Sequence, residues 1–321
     1  MVKVKAKTIR VAAVQVTSNE EDIRRNLAHA EPFLMEAKSK GAQLILLPEF
    51  LPTGYCLEKS IWGMAEPSNG ITVNWLIEQA RKHSTWIGTS FLEADGQHFY
   101  NTFVLVDPGG NEKIRVRKCR PAATEMYFFK GEQTDRVADT EFGRIGVSIC
   151  YEGALSQTIR ELYEQKADLV IMPMSAPTPT LNKPLSSKDI EEYNTTLKSF
   201  ASYVSTELGV PAVMANKVGP WKTKSPWPFP LEESSFPGFS TICDADGAVR
   251  SQLGNEEGVI VAEIELNARS KLGDLPTFFG KWARKPPKIF KLLVIAESLG
   301  RIGYTISFLR RRMAGRISAR G

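Results

Sequence analysis

Three side chains that could take part in catalysis each follow a short β-strand pattern. They are the carboxylate of Glu49, the amine of Lys118 and the thiol of Cys150. In α/β proteins, ligand sites gather at strand ends because the loops there expose side chains on a rigid frame. Brought together, these groups would supply a base, a stabiliser of an oxyanion and a nucleophile.

The nucleophile would need help from its surroundings. A cysteine attacks as the thiolate, and a free thiol with a pKa of about 8.5 is mostly protonated at neutral pH. None of the three histidines, His29, His83 and His98, lies near a comparable strand end. A carboxylate in a dry site can act as the base instead. An ammonium group can stabilise the thiolate and then the tetrahedral intermediate.

Each residue alone also has an ordinary interpretation. Cys150 could be a buried structural thiol, Glu49 a solvated turn carboxylate, and Lys118 part of an exposed basic edge strand. Their joint occurrence in this order favours the catalytic interpretation. Cys119 is interpreted as incidental, and Glu152 would either orient groups behind the nucleophile or pair with a nearby cation.

The sequence contexts of the three residues point to a known family. LLPEF, RVRKCRP and GVSICYEG, in this order and spacing, resemble the Glu–Lys–Cys signature of the nitrilase (carbon–nitrogen hydrolase) superfamily, over about residues 8–267. The resemblance implies a four-layer α-β-β-α sandwich of the α/β class that pairs into a homodimer. It also implies an enzyme without a cofactor, and no histidine or cysteine spacing suggests a metal site.

The resemblance also implies roles for individual residues. Glu49 would be the general base, Cys150 the nucleophile and Lys118 the stabiliser of the tetrahedral intermediate. Glu125 matches a second glutamate that helps to position the substrate and Lys118. The backbone N–H of Tyr151 would be the other oxyanion donor. The implied reaction forms a thioester with loss of an amine and then hydrolyses it.

The tripeptide Cys-Tyr-Glu, which begins at the nucleophile, resembles that of the amidase and carbamoylase branches. We therefore expect a thiol amidohydrolase that cleaves a linear amide or N-carbamoyl C–N bond. The segments 119–123 and 153–156 depart from the family pattern, so the substrate is left open. Two alternatives are an N-acyltransferase that uses the same thioester and a catalytically silent scaffold of the same fold.

The surrounding pattern alternates β-rich runs with amphipathic helical stretches, which favours a layered α/β domain. We predict a hydrolase domain over residues 1–280 and a long helix over Lys188–Leu208. Two loops, 175–187 and 219–237, are expected to act as lids over a partly apolar pocket. The second loop carries four aromatic residues: Trp221, Trp227, Phe229 and Phe236.

Composition favours a soluble globular protein, since 42% of residues are hydrophobic and 24% are charged. The four cysteines are widely spaced and form no CxxC pair, so we expect free thiols in a reducing compartment. We see no signal peptide and no apolar run of about 18 residues. The expected location is the cytoplasm, with peripheral association at the inner face of the membrane.

That association would depend on a basic extension, residues 281–321, which carries eleven Lys and Arg residues against one acid. The segment 288–299 is apolar over most of the circumference of a helix, and 301–313 places apolar residues at helical spacing beside three arginines. Such an amphipathic, cationic pair of helices suits an anionic membrane surface. The predicted contacts are Lys288, Lys291, Arg310, Arg311 and Arg312. The substrate would then be a small or lipid-like amide. Docking on a partner subunit is the main alternative, and nucleic acid is unlikely as a partner because the body is acidic.

Overall fold

A computed structural model of the chain describes residues 7–20, 22–180, 185–224, 231–266 and 274–321. Its strands are β1 (Lys7–Gln15), β2 (Leu44–Leu46), β3 (Trp86–Asp95), β4 (His98–Val106), β5 (Glu112–Arg117), β6 (Val137–Asp139), β7 (Arg144–Val147), β8 (Leu169–Pro173), β9 (Ala212–Ala215), β10 (Val218–Lys224), β11 (Leu231–Pro237), β12 (Thr241–Cys243), β13 (Val249–Gln252) and β14 (Gly258–Leu266). Its α-helices are α1 (Ile23–Ser39), α2 (Ile71–His83), α3 (Ser156–Glu164), α4 (Ser187–Lys198), α5 (Phe200–Leu208), α6 (Lys288–Ile306) and α7 (Phe308–Ser318).

Two six-stranded sheets form the centre of the described fold. The first has the strand order β14-β1-β2-β3-β4-β5 and the second β13-β12-β9-β8-β7-β6. In the first sheet, β1, β2 and β3 are parallel, whereas β3–β4 and β4–β5 are antiparallel pairs. Strands β2 and β5 therefore run in the same direction, and their carboxyl ends lie at the same edge of the sheet.

The two sheets pack face to face over a shared apolar core. Val11 and Leu46 of the first sheet belong to the same buried cluster as Ile171 and Val213 of the second. Side chains alternate between the two faces of a strand, and the outer face of the first sheet packs against α1 and α2. Helices α3 and α5 cover the second sheet. This arrangement confirms the predicted α-β-β-α sandwich.

The long helix predicted over Lys188–Leu208 is interrupted, and that prediction is wrong in its continuity. Helix α4 ends at Lys198 and α5 begins at Phe200, with Ser199 between them. The hydroxyl of Ser199 donates hydrogen bonds to the carbonyl oxygens of Thr195 and Thr196. A serine side chain that bonds to the preceding turn in this way competes with the helical backbone and bends the helix.

The segment 219–237 was expected to be a loop, and this prediction is also wrong. Strands β10 and β11 pair as an antiparallel hairpin, with Trp221 opposite Ser234. Trp221 and Phe236 are buried, and the indole of Trp221 donates to the carbonyl of Tyr55. Because these aromatic residues have a packed core to enter, they hold the hairpin on the body. Trp227 and Phe229 lie outside the described residues.

Helices α6 and α7 pack on the body of the protein. The predicted break between two tail helices near residue 300 lies instead at Ser307, whose side chain caps α7 by accepting from the amide of Arg310. Helix α6 continues through Gly300, where the lack of a side chain lets the helix lie close to Met126. A Cβ atom at Gly300 would lie 2.7 Å from the Cβ of Met126. The tail helices are therefore packed against the body of the protein as well as exposed at its surface.

Candidate active site

The structure brings Glu49, Lys118, Glu125 and Cys150 into one buried cluster. Glu49 follows β2, Lys118 follows β5 and Cys150 follows β7, so three strand ends converge there. Glu49, Lys118 and Glu125 have no solvent-exposed surface, and Cys150 is 6% exposed. Ser175 lies between two of these residues, since its hydroxyl donates to the carbonyl of Glu49 and its backbone hydrogen-bonds to the thiol of Cys150.

The ammonium group of Lys118 lies between two carboxylates. Its Nζ atom is 2.8 Å from Oε1 of Glu49 and 2.9 Å from Oε2 of Glu125. Burial alone would lower the pKa of Lys118, but the carboxylates of Glu125 and Glu49 outweigh that effect and hold the pKa well above its usual range. Lys118 therefore remains a cation in a site without solvent.

Glu125 receives several hydrogen bonds from its surroundings. Its carboxylate accepts from the hydroxyl of Tyr55 at 2.6 Å and from the backbone amide of Ala122 at 2.9 Å, as well as from Lys118. Burial raises the pKa of Glu125, and the negative charge of Glu49 raises it further against the opposing effect of Lys118. These contacts leave Glu125 little freedom and suit it to position Lys118.

Cys150 occupies a sharp turn between a strand and a short helix. It has a φ of 51°, a left-handed conformation that a non-glycine residue adopts at a cost of about 1–3 kcal/mol. Its pKa is raised by burial and by the Glu49 carboxylate, against the opposing effect of Lys118. The resting thiol is therefore protonated, and it can become a thiolate only by giving its proton to a neighbouring base.

Tyr151 lies in the first turn of the 3₁₀ helix Cys150–Ala154. The first backbone amides of a helix have no acceptor within the helix, so the amide of Tyr151 is available in the turn that also holds the thiol. The phenol ring of Tyr151 packs edge-on against Trp282 and Phe290.

Glu152 connects the segments that carry Lys118 and Cys150. One carboxylate oxygen accepts from the backbone amide of Cys119 at 2.8 Å, and the other accepts from that of Ile149 at 3.3 Å. The same carboxylate forms a buried ion pair with Arg136 at 3.5 Å. Both interpretations of Glu152 from the sequence therefore hold, because it pairs with a cation and orients the backbone behind the nucleophile.

Sequence reasoning missed several residues of this cluster. Asn101 donates to Oε1 of Glu49 at 2.6 Å, and Tyr55 donates to Glu125. The only sequence signal for Asn101 was a polar residue at the start of an apolar strand, and Tyr55 had none. Lys217 is also buried, and it donates to the carbonyl of Phe50, the residue after Glu49. Burial lowers the pKa of Lys217 to about 7.

Cys150 opens into a cavity of about 530 Å³. Residues of the two predicted lid segments, Ser175–Thr180 and Trp221, form part of its wall, together with Phe200. Helix α6 supplies another part of the wall through five apolar residues: Ile289, Phe290, Leu292, Leu293 and Ala296. Among the described residues that line the cavity, none carries a charged side chain.

The predicted contact residues of the tail do not share one environment. Arg310 is 2% exposed, stacks on the ring of Tyr304 and donates to His98 and to the carbonyl of Gln97. Its prediction as a surface contact is therefore wrong, because its guanidinium group is buried against Tyr304 and His98. The other four lie at the surface, as follows: Lys288, which pairs with an aspartate, and Lys291, Arg311 and Arg312.

No group of three or more His, Cys, Asp or Glu side chains in the described parts of the chain could hold a metal ion. The four cysteines are free thiols. The chemistry that this site can perform with its own residues is thiol attack assisted by a carboxylate and an ammonium group.

Comparison with known proteins gives the same family by sequence and the same fold by structure. A nitrilase from Pyrococcus abyssi is 30% identical and aligns over 84% of this chain and 96% of its own length. An N-carbamoylputrescine amidase from Solanum lycopersicum is 26% identical, over 91% of this chain and 97% of its own. The crystal structure of a carbon–nitrogen hydrolase from Helicobacter pylori G27 has a TM-score of 0.72 at 18% identity, covering 82% of this chain and 91% of that one, which shows the fold alone.

The carbon–nitrogen hydrolase family matches residues 10–272, which is most of the chain and includes Glu49, Lys118, Glu125 and Cys150. The relatives include amidases and nitrilases, and the fold is that of the solved neighbours. The chain belongs to the carbon–nitrogen hydrolase family.

Proposed function

We propose that the protein is a thiol amidohydrolase that cleaves the C–N bond of an uncharged linear amide with a hydrophobic substituent. The observation that supports this substrate class is the cavity beside Cys150, which has no charged side chain among its described lining residues. Its volume of about 530 Å³ suits a small molecule. A charged substrate group would lose its hydration there without gaining an ionic partner, so an apolar group is favoured.

In the first half of the proposed reaction, the Sγ atom of Cys150 attacks the amide carbonyl carbon while its proton passes to Glu49. The carbonyl oxygen becomes an oxyanion, which Lys118 and the backbone amide of Tyr151 stabilise. A buried cation acts strongly on developing charge because little water screens it. Glu49 then gives the proton to the leaving nitrogen, the C–N bond breaks, and a thioester remains on Cys150.

In the second half, a water molecule attacks the thioester and gives its proton to Glu49. The second tetrahedral intermediate collapses with cleavage of the C–S bond, Glu49 returns its proton to the Sγ atom of Cys150, and the carboxylic acid leaves. Glu125 does not exchange a proton in this scheme. Its role is to hold Lys118 in place and charged, which its contacts at 2.9 and 3.1 Å support. An amine that attacked in place of water would make the protein an acyltransferase.

The first experiment is a chain-length series. Ammonia release would be measured for primary amides from acetamide to dodecanamide, and for matched amides that end in an ammonium or a carboxylate group. We expect kcat/KM to rise with chain length and to fall for both charged series. A preference for a charged series, or no dependence on chain length, would contradict the proposed substrate class.

Two variants and one addition separate the mechanism from its alternatives. Cys150→Ala should abolish turnover, whereas Cys119→Ser, at a thiol outside the cluster, should keep it. If a thioester forms, added hydroxylamine should accelerate ammonia release and convert the acyl group to a hydroxamic acid. If an added amine gave only the N-acylated amine, and no free acid formed without that amine, the protein would be an acyltransferase instead.

A further inference from the structure

Six large apolar side chains are exposed on the C-terminal helices, and we call this set the outer stripe. They are Ile295, Leu299, Ile302 and Ile306 on α6, and Phe308 and Leu309 next to the helix junction, each between 40% and 74% exposed. The four on α6 follow a spacing of four, three and four residues, so they share one face of the helix. Only four other large apolar side chains are similarly exposed in the described parts of the chain, and they are scattered: Met35, Ile71, Val249 and Phe279.

The outer stripe is flanked by basic side chains. Lys291 and Arg301 on α6 and Arg311 and Arg312 on α7 are exposed beside it. The whole segment 281–321 has eleven Lys and Arg residues and one acid, Glu297, which is paired with Lys281. An apolar face bordered by cations matches a surface with an apolar interior and anionic head groups.

The geometry of the two helices suits a surface contact. No single helix in the described ranges is long and apolar enough to cross a membrane, whereas α6 and α7 together meet that criterion but bend by 71° where they join. The opposite face of each helix is packed on the protein, through Gly300 and Tyr304 of α6 and Ala314 of α7. The outer stripe is therefore held in place by the fold.

The same helix forms a wall of the catalytic cavity. Ile289, Phe290, Leu293 and Ala296 of α6 line the cavity into which Cys150 opens, while Ile295 and Leu299 on the other side of α6 are exposed. One helix thus has a face toward the substrate cavity and a face toward the exterior. A partner that binds the outer stripe would lie one helix diameter, about 10 Å, from the cavity.

We infer that the outer stripe and its flanking arginines dock the protein on an anionic lipid bilayer and so place the cavity beside it. Docking would give the enzyme access to amides dissolved in the bilayer. This second part depends on the function proposed above, but the docking itself does not.

The binding experiment uses the full chain and two kinds of vesicle, phosphatidylcholine alone and phosphatidylcholine with phosphatidylserine. We expect the protein to pellet with the anionic vesicles and not with the neutral ones. Arg311→Gln/Arg312→Gln should lower the partition coefficient by about tenfold or more, because each basic residue near an anionic surface contributes separately. Ile302→Ser/Phe308→Ser should lower it by a similar factor, through the loss of buried apolar area.

Matched controls are available elsewhere on the surface. Arg24→Gln/Arg25→Gln removes two neighbouring exposed arginines from α1, and Met35→Ser/Val249→Ser removes two exposed apolar side chains. Both should bind vesicles as the unchanged protein does. No pelleting with anionic vesicles, or equal pelleting of all variants, would overturn the inference.

A second copy of the chain is the competing occupant of this surface. Light scattering without lipid tests it, because a dimer built on the outer stripe would dissociate in Ile302→Ser/Phe308→Ser. Dissociation of that variant, together with no vesicle binding by the unchanged protein, would assign the surface to the dimer and overturn membrane docking.

An activity measurement keeps the two proposals apart. Anionic vesicles should raise the rate on a long-chain amide in the bilayer, and Arg311→Gln/Arg312→Gln should lose that increase while keeping its rate on a soluble short amide. Cys150→Ser should bind vesicles normally without turnover. Vesicle binding without hydrolysis of any amide would leave docking in place and remove the proposed function.

Discussion

The ammonium group of Lys118 lies 2.9 Å from a carboxylate oxygen of Glu125, and neither side chain is exposed to solvent. Glu49 is 2.8 Å away on the same nitrogen. One positive charge thus faces two carboxyl groups, and two like charges in a dry site disfavour full ionisation of both. The raised pKa of Glu125 is the consequence of its burial and of this crowding. The Oε2 atom of Glu49 is buried and has no hydrogen-bond partner among the described residues, which leaves it available to accept a proton.

Replacement of Glu125 by Gln should test the positioning role. The amide keeps the shape of the side chain but removes a negative charge from beside Lys118, so the pKa of Lys118 should fall and its nitrogen should move. We expect kcat/KM to drop by about 10²-fold in a protein that remains folded, because Lys118 would be displaced from its position. Tyr55→Phe, which removes one donor to Glu125, should lose less than about tenfold. Full activity in Glu125→Gln would show that Glu49 alone is enough to hold Lys118.

The raised pKa of Cys150 predicts slow alkylation of the resting enzyme. A higher pKa means a smaller thiolate fraction at any given pH, so iodoacetamide should modify Cys150 more slowly than a cysteine in the unfolded chain. The rate should continue to rise above about pH 9, where a free thiol is already mostly ionised. Mass spectrometry of the peptide that contains Cys150 measures this profile.

The substitution Glu49→Gln should lower the pKa of Cys150. It removes a negative charge that raises the pKa of Cys150, so the alkylation profile should move to lower pH although amide hydrolysis is lost. A profile like that of a free thiol in the unchanged protein would mean that burial and Glu49 do not control the thiol.

Removal of the Glu152 carboxylate should be strongly destabilising. In Glu152→Ala, the amides of Cys119 and Ile149 lose their acceptor and Arg136 loses a buried counter-ion. Loss of one partner of a buried pair costs about 3–5 kcal/mol, and urea denaturation should show a decrease of this size in the free energy of unfolding. The control is Glu233→Ala, which breaks an exposed ion pair with Lys222 and should change stability by less than about 1 kcal/mol. Equal effects of the two substitutions would be evidence against the connecting role.

A larger side chain on the inner face of α6 should shorten the preferred substrate. Ala296 lines the cavity and is 5% exposed, so Ala296→Phe would occupy space that an apolar chain needs. We expect kcat/KM for long-chain amides to fall by about tenfold or more, and that for acetamide to change little. Ser298→Phe, on the exposed side of the same helix, is the matched control and should leave the chain-length profile unchanged. A profile that Ala296→Phe does not alter would place the apolar group elsewhere.

Lys217 should make the stability of the protein depend on pH. Its pKa is lowered by burial to about 7, against the opposing effects of Glu49 and Glu20, and the unfolded lysine has a pKa of about 10.4. Between these values the unfolded chain binds a proton that the folded chain does not, so Lys217 makes the free energy of unfolding rise with pH. The slope should be at most about 1.4 kcal/mol per pH unit.

Lys217→Met should remove that slope. Urea denaturation of both proteins at several pH values between about 7.5 and 9.5 would measure the difference. If the two curves stay parallel, Lys217 is charged in the folded state, and another anion must compensate it.

The local chemistry of this protein could be predicted from its sequence. The strand patterns that end at Glu49, Lys118 and Cys150 were enough to predict that these three side chains act together, and the resemblance of their contexts to one family supplied the sandwich and Glu125. This was possible because short apolar strands and their end residues are encoded by neighbours in the chain. The structure places these side chains together, and it places Glu152 where it both pairs with Arg136 and orients the backbone behind Cys150.

Other features depended on contacts between distant segments. Asn101, Tyr55 and Lys217 enter the cluster from strands and loops whose own patterns are ordinary. Strands β10 and β11 are held on the body by Trp221 and Phe236, which are buried, and α6 lies close to Met126 at Gly300. Helical spacing placed Arg310 among the basic residues of the tail, but only tertiary packing could show that its charge faces Tyr304 and His98. Burial, and with it every shifted pKa in the site, is a property of the assembled layers, because it depends on which distant side chains exclude water.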